Sequence, residues 1–356
     1  MSQKNPFSVS FGRIPYEYIP RPRQTSQILD MFNETPVTDQ MYLIVGVRGS
    51  GKTVMLNRVT SELMKDPDWI VLKISPNDNI LETLYRDLYN QEFMKEHFSK
   101  KNVNWKLKAG SVEVSSGDHT DEPLPSLNHR IDEMLAYVNE KKKKVLIGID
   151  EITDSESMIA FSSALQIFTG NDRPVYFLGT ALHENLEKLR NVRNLTFLYR
   201  APRIQLQPLD LTIMADSYQK SLGVNEKRAD QMAALTKGYS FAYQALGYVY
   251  WNHKDHLKSL NEILPEFDYY LSDFSYKKIW SELSEKDKDT AYAISDHNGE
   301  KVSVIREACG MSSGLFSVYR ERLKNRGIID VSTYGKISFS LPRFSEFIQR
   351  IRKEEI

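Results

Sequence analysis

Four short apolar runs mark the first half of the chain: Met41-Tyr-Leu-Ile-Val45, Trp69-Ile-Val-Leu-Lys-Ile74, Val145-Leu-Ile-Gly-Ile149 and Val175-Tyr-Phe-Leu-Gly179. Each is β-branched or aromatic, nearly unbroken by polar residues and too short for a buried helix, so each reads as a strand covered on both faces. Helical segments separate them, beginning with one over about 22–33, and this alternation predicts a parallel α/β sheet. From Pro208 to about Tyr276 the pattern becomes helical: Leu211 to Ser221, Lys227 to Thr236 stopped by Lys237-Gly238, Phe241 to Asn252, then an acidic-aromatic stretch through Phe267-Asp-Tyr-Tyr270. From there on the rhythm changes again. Ser284-Glu-Lys-Asp287 has the form of a capped helix start. That helix runs to about Ser295, and others follow over Val302–Cys309 and about Leu315–Asn325, with Gly310 to Gly314 as a turn. Two short strands, Ile328–Val331 and Lys336–Phe339, flank Thr333-Tyr-Gly335. Three helices and a hairpin predict a winged helix-turn-helix. The division expected is 1–208 for an arm and α/β core, 209–276 for a helical lid and 277–356 for the winged module. Within the core, Lys100-Lys101 and the polar, alternating stretch Ala109 to Pro125 read as an insertion (101–125) forming a small exposed hairpin. The run Lys141 to Lys144 reads as the end of the helix before Val145, complementing its dipole or contacting phosphate.

The first run leads directly into Gly46-Val-Arg-Gly-Ser-Gly-Lys-Thr53, which fits the G-x-x-x-x-G-K-[ST] phosphate-binding loop. Wrapping a triphosphate requires successive backbone N–H groups to point inward, at φ values and distances that a side chain would block, and Gly46, Gly49 and Gly51 meet that need. Residues 46–54 (Val47, Arg48, Ser50 and Val54 included) are therefore the expected ATP or ADP contacts. Lys52 is expected to reach the β/γ-phosphates, Thr53 to ligate Mg²⁺, and the following helix to aim its positive end at the anion.

The partner of such a loop is a buried strand ending in a carboxylate, and Val145–Ile149 ends in Asp150-Glu151. Asp150 is expected to hold the metal and Glu151 to act as general base on the attacking water. Because Trp69–Ile74 falls between the loop helix and this strand in the chain, it implies an extra strand separating the two in the sheet, as in additional-strand, catalytic-glutamate ATPases. No Asn-Lys-x-Asp element follows Asp150, which disfavours a GTPase. The fourth run ends at Thr180, which is either a γ-phosphate contact or an ordinary turn residue.

Taken together, the loop, the Asp-Glu strand and the Gly-Thr strand resemble the AAA+ ATPases, more narrowly the prokaryotic proteins near the origin-recognition and signal-transduction (STAND) branches. The resemblance extends to Asn5-Pro-Phe7, Phe11-Gly12 and Ile19-Pro-Arg-Pro-Arg23, similar to the family's segment over the adenine, where Arg21 is the match and Pro20 a departure. It implies an arginine finger in Tyr199-Arg200-Ala-Pro-Arg203, with Arg200 first and Arg203 in reserve. It also implies a lid motif in Gly238-Tyr-Ser-Phe-Ala-Tyr-Gln244, which has Ser240 for the usual proline and no arginine, so that nucleotide state would be read through backbone and aromatic contacts. A finger supplied in trans would make hydrolysis depend on a homo-oligomer.

Composition adds bounds rather than identity. With 47 basic and 47 acidic residues the formal charge is zero, which argues against global attraction to nucleic acid. One cysteine, Cys309, leaves no intramolecular disulfide, and no apolar run approaches a membrane span, so a soluble cytoplasmic protein is expected. In the winged module Arg320, Arg322, Lys324, Arg326 and Lys336 stand where DNA-binding examples make phosphate and groove contacts. Yet from Tyr276 onward 15 Lys/Arg face 12 Asp/Glu, a weak excess that leaves a DNA target and a protein partner both open. The expectation is an ATPase that couples ATP·Mg hydrolysis to lid and winged-helix movement. The alternative is a nucleotide-gated adaptor or transcription regulator with little turnover; no acceptor signature supports a small-molecule kinase.

Overall fold

The computed structural model describes residues 4–10, 14–34, 36–99, 104–108, 111–115, 126–257 and 259–354, without the side chains of 104–108, 111–115 and 193. The chain forms two compact units, one of Pro22–Ile44 and Met55–Ile204, the other of Met1–Arg21, Val45–Val54 and Gln205–Ile356.

The five-stranded parallel α/β sheet contains β1 (Met41–Val45), β2 (Trp69–Ile74), β5 (Lys144–Ile149), β6 (Val175–Ala181) and β7 (Arg203–Gln205), in the order β2-β5-β6-β1-β7. Strand β5 pairs in parallel with β2 and with β6, Ile149 facing Ile74 on one side and Gly179 on the other. Every residue of β6 and all of β5 except Lys144 is buried, as continuous apolar strands covered on both faces must be. One expectation is corrected here. β6, rather than β2, separates β1 from β5, and β2 lies at the edge. Chain order does not set strand order, because a helical crossover can carry the chain past a strand already in place.

At the other end of the strands, aromatic rings replace aliphatics. Phe32 meets Tyr42 and Tyr176 edge-on at 5.4 and 5.3 Å, and Trp69 meets Tyr176 at 4.9 Å. The Lys144 ammonium lies 5.1 Å from the centre of the Trp69 ring and donates to Phe32 O at 3.1 Å. The preceding helix ends at Glu140, so the four-lysine run divides: Lys144 belongs to β5 and is consumed by this cluster rather than serving the helix dipole. The inserted hairpin is an antiparallel pair of β3 (Asn104–Lys108) and β4 (Ser111–Ser115), so its first strand precedes the stretch expected to carry it. Residues 100–103, 109–110 and 116–125 of that insertion lie outside the described residues.

The second unit is helical with one small hairpin. Helices span Leu211–Leu222, Glu226–Thr236 and Ser240–His253; Asp210 caps the first by accepting from Thr212 N and Ile213 N, and Gly223 ends it in the left-handed region. A π-helical turn, Ser272–Tyr276, joins the helices Leu264–Leu271 and Lys277–Ser281. Helices Glu285–Asp296, Val302–Ala308 and Ser313–Asn325 follow, then β8 (Ile329–Asp330) paired antiparallel with β9 (Ser338–Phe339). An isolated bridge between Lys301 and Lys336 widens the hairpin, completing a winged-helix arrangement. The third helix starts earlier than the turn-like Gly310–Gly314 suggests, because the Ser312 hydroxyl caps it by accepting from Leu315 N. A closing helix, Phe344–Glu354, has no counterpart among the sequence expectations; it packs Phe344 against Tyr276 (4.9 Å) and Phe339 (5.2 Å).

One apolar cluster runs through this unit from Phe7 to Ile348. Phe7 lies so close to Gly247 that a Cβ there would stand 2.4 Å from the ring. Asn5 Nδ2 donates to Tyr248 O at 3.1 Å, so the N-terminal arm is pinned to the Ser240–His253 helix.

Asp287 is fully buried and accepts from Ser284 N (3.1 Å), Ser284 Oγ (2.6 Å) and Arg322 Nη2 (2.8 Å). Arg322→Ala leaves that carboxylate without its cation. It is expected to destabilise the unit by about 1–3 kcal/mol in urea unfolding, below the figure for fully buried pairs because Arg322 is partly exposed; an unchanged midpoint would refute the role.

Candidate functional site

The loop after β1 is defined by where its carbonyls go. Lys52, only 6% exposed, donates through Nζ to Gly46 O (3.1 Å) and Val47 O (3.2 Å). Tyr239 Oη donates to Arg48 O at 2.6 Å, Phe241 N to Gly49 O at 3.0 Å and Ser240 Oγ to Ser50 O at 2.9 Å. Five successive carbonyls are thus satisfied, two by the loop's own Lys52 and three by consecutive residues of the Gly238–Gln244 motif. Arg21 adds a long contact to Ser50 O (3.4 Å) and a short one to Gln207 O (2.6 Å).

Gly49 and Gly51 have φ of +77° and +96°, a region that residues with a Cβ rarely adopt. At Gly49 a Cβ would also stand 2.2 Å from Tyr239 Oη, and at Gly46 one would stand 2.5 Å from Ser50 Oγ. The glycines therefore serve backbone shape and close packing together. The Tyr239 hydroxyl is shared with Ser275 Oγ at 2.7 Å, in the π-helical turn, and burial raises its pKa far above that of an ordinary phenol. Val47 lies against Gly327 (3.4 Å to the position of a Cβ), and Arg48 Nη2 is 3.8 Å from Glu282 Oε1. Thr53 and Val54 begin the helix Lys52–Leu63 and are partly buried.

In the other unit, Asp150 and Glu151 follow β5. Thr180, expected at the end of a strand, lies inside β6 and is fully buried. Its hydroxyl donates to Asp150 Oδ1 at 2.5 Å and accepts from Glu151 N at 2.9 Å. The threonine thus orients the two acidic residues. Glu151 is exposed and has φ +55°, a left-handed conformation uncommon for a residue with a side chain. Arg200 is exposed at the C-terminal end of the short helix Thr196–Tyr199, whereas Arg203 donates to Tyr199 O (2.9 Å) and stacks on the Tyr199 ring at 4.5 Å.

Sequence reasoning missed that Tyr239, Ser240 and Phe241 close the loop's outer side. Their motif was visible, but its bonding partners lie about 190 residues away in the chain. In the winged module, Arg322 is bound to Asp287, Arg326 to Glu282 O (3.0 Å) and Lys324 to Glu321 (3.2 Å), while Lys336 is exposed.

Residues 19–176 match the AAA ATPase domain, and residues 274–348 match a domain of unknown function, DUF8462. No curated protein matches the sequence. Among solved structures, the Aeropyrum pernix ORC2 protein in its ADPNP-ADP complexes is similar over 98% of this chain and 97% of that one, with a TM-score of 0.61 and 11% identity. Its ADP form is similar over the same shares, with a TM-score of 0.53 and 11% identity. At this identity the likeness is one of fold. None of the described helices is long and apolar enough to cross a membrane. Residues 19–176 are thus similar to the AAA ATPase domain, and the chain as a whole has a fold similar to that of the ORC2 protein.

Proposed function

We propose that the chain binds ATP·Mg at residues 46–54, hydrolyses it, and passes the change through the lid motif to the winged module. The observation that carries this is that the carbonyls of Arg48, Gly49 and Ser50 are satisfied from outside by the lid motif, since a backbone that commits C=O groups to one side offers N–H groups to the other. Gly49 and Gly51 take positive φ, and because a Cβ at either would point at Tyr239 or Ser240, their lack of side chains lets the lid motif reach the loop carbonyls. Lys52 contributes the balancing charge, and on nucleotide binding its ammonium exchanges carbonyls for phosphate oxygens. Thr53 and Asp150 are the residues that would hold magnesium, which when bound neutralises phosphate charge and orients the phosphates. Water attacks the γ-phosphorus as its proton passes to Glu151, and the bond to the bridging oxygen breaks to leave ADP and phosphate. The unusual backbone of Glu151, held by Thr180, supports a role that tolerates strain for placement. Thr180 acts by positioning this pair. The exposed Arg200, rather than the stacked Arg203, suits a finger offered to a neighbouring copy. The likeness to a protein crystallised with ADPNP and ADP supports ATP as the nucleotide.

Arg322 and Arg326, tied up within the winged module, and the exposed Leu315 and Val318 on the Ser313–Asn325 helix, favour a protein target over DNA.

Lys52→Ala is expected to abolish the calorimetric heat of ATP binding, whereas Glu151→Gln retains it and loses phosphate release by about 100-fold or more. Unchanged release in Glu151→Gln would leave a nucleotide-gated switch with little turnover as the better reading. Thr180→Val removes a buried hydroxyl at nearly constant volume; it is expected to cost about 1–3 kcal/mol of stability and to lower turnover more than ATP affinity. For the target, no retardation of duplex DNA is expected in mobility shifts at low salt, and retardation that weakens steeply as salt is added would reverse that assignment.

A further inference from the structure

Within the unit that holds the phosphate-binding loop there is a cavity of about 760 Å³, a size typical of small-molecule sites. The strand-to-lid segment 205–211, the end of the Glu226–Thr236 helix and the wing hairpin enclose it. Of the loop 46–53 only Val47 and Ser50 line it; Gly49, Gly51, Lys52 and Thr53 do not. It is therefore distinct from the concavity in which the loop amides would face phosphate.

The walls are apolar through Leu206, Leu209, Leu211, Ile329, Phe339 and Leu341. The charges are one-sided. Arg21, Lys237 and Lys324 line the cavity with one carboxylate, Asp330, and of the three cations Lys324 is already paired with Glu321 outside the lining. Both oxygens of Asp330 are already engaged in the wing turn, accepting from Ser332 N (2.8 Å) and Ser332 Oγ (3.0 Å). The partners of Arg21 are the neutral Gln207 O, Ser50 O and Ser240 Oγ, and burial lowers its guanidinium to about 10, still charged at neutral pH. The Lys237 ammonium donates to a neutral carbonyl, Phe339 O, at 2.9 Å. Ser50, 7% exposed, lines the same space, and its Oγ has no hydrogen-bond partner among the described residues. Arg21 and Lys237 hydrogen-bond only to carbonyls and a hydroxyl in these apolar surroundings, and an anion would stabilise them further, because charge-assisted bonds strengthen as water is excluded.

We propose that this cavity is a second ligand site, for a small molecule carrying an anionic group on an apolar body, bound against Arg21 and Lys237. A ligand there touches the outer side of the phosphate-binding loop, the lid motif and the wing at once, so it is placed to act on all three.

The probe is 8-anilinonaphthalene-1-sulfonate, an aromatic body with one anionic group, titrated into the full chain by fluorescence. One saturable site is expected. Lys237→Asn, which removes the charge and still accepts the left-handed backbone at that position (φ +49°), is expected to weaken the dye about tenfold or more while leaving the ATP affinity unchanged. Ser338→Trp, which fills the cavity from the wing without removing a cation, is expected to abolish dye binding. Displacement of the dye by ATP·Mg would show the cavity to be part of the nucleotide site and overturn the proposal, as would dye affinity unchanged in both variants.

Discussion

A loop that is to surround an anion with amides must first dispose of its carbonyls. Backbone N–H and C=O groups alternate along the chain, and leaving either kind buried and unbonded costs as much as a lost hydrogen bond. From Gly46 to Ser50 the solution is divided. The first two carbonyls turn to the loop's own Lys52, and the next three turn outward to Tyr239, Ser240 and Phe241. The shape of the loop is therefore a property of the lid motif as much as of the glycines, and moving the lid disturbs three loop peptides directly.

That arrangement accounts for a departure in the lid motif. Its residues carry no arginine to read a phosphate by charge, but they hold the peptides from which a phosphate would be held. Tyr239 links this contact to Ser275 in the π-helical turn leading toward the winged module, while Val47 and Arg48 reach Gly327 and Glu282. The connection runs through hydrogen bonds rather than through an arginine. In the other unit a similar economy appears at Thr180, where one buried hydroxyl fixes a carboxylate through Asp150 and a backbone through Glu151.

In the winged module two of the basic side chains serve as internal ties. Arg322 neutralises the buried Asp287, and Arg326 stays on a backbone carbonyl; both spend their donors on holding the module together. Hydrogen bonds of this kind are invisible in the spacing of basic residues along a helix, because the partners come from other elements.

The amino-acid sequence by itself determined the parts that depend on local physics: the loop from its glycines and Lys52, the buried strands from their unbroken apolar runs, and the start of the Glu285–Asp296 helix from its capping residue Ser284. It also placed Asp150 and Glu151 together, since neighbours in the chain cannot be separated. Only the tertiary structure decided what depends on long-range pairing. It put β6 beside β1, drew Lys144 onto aromatic rings, directed Thr180 to Asp150 and Glu151, and brought Tyr239, Ser240 and Phe241 to the loop carbonyls. Each of these joins segments far apart in sequence, where the energy lies in burial and hydrogen-bond satisfaction, which no local pattern encodes.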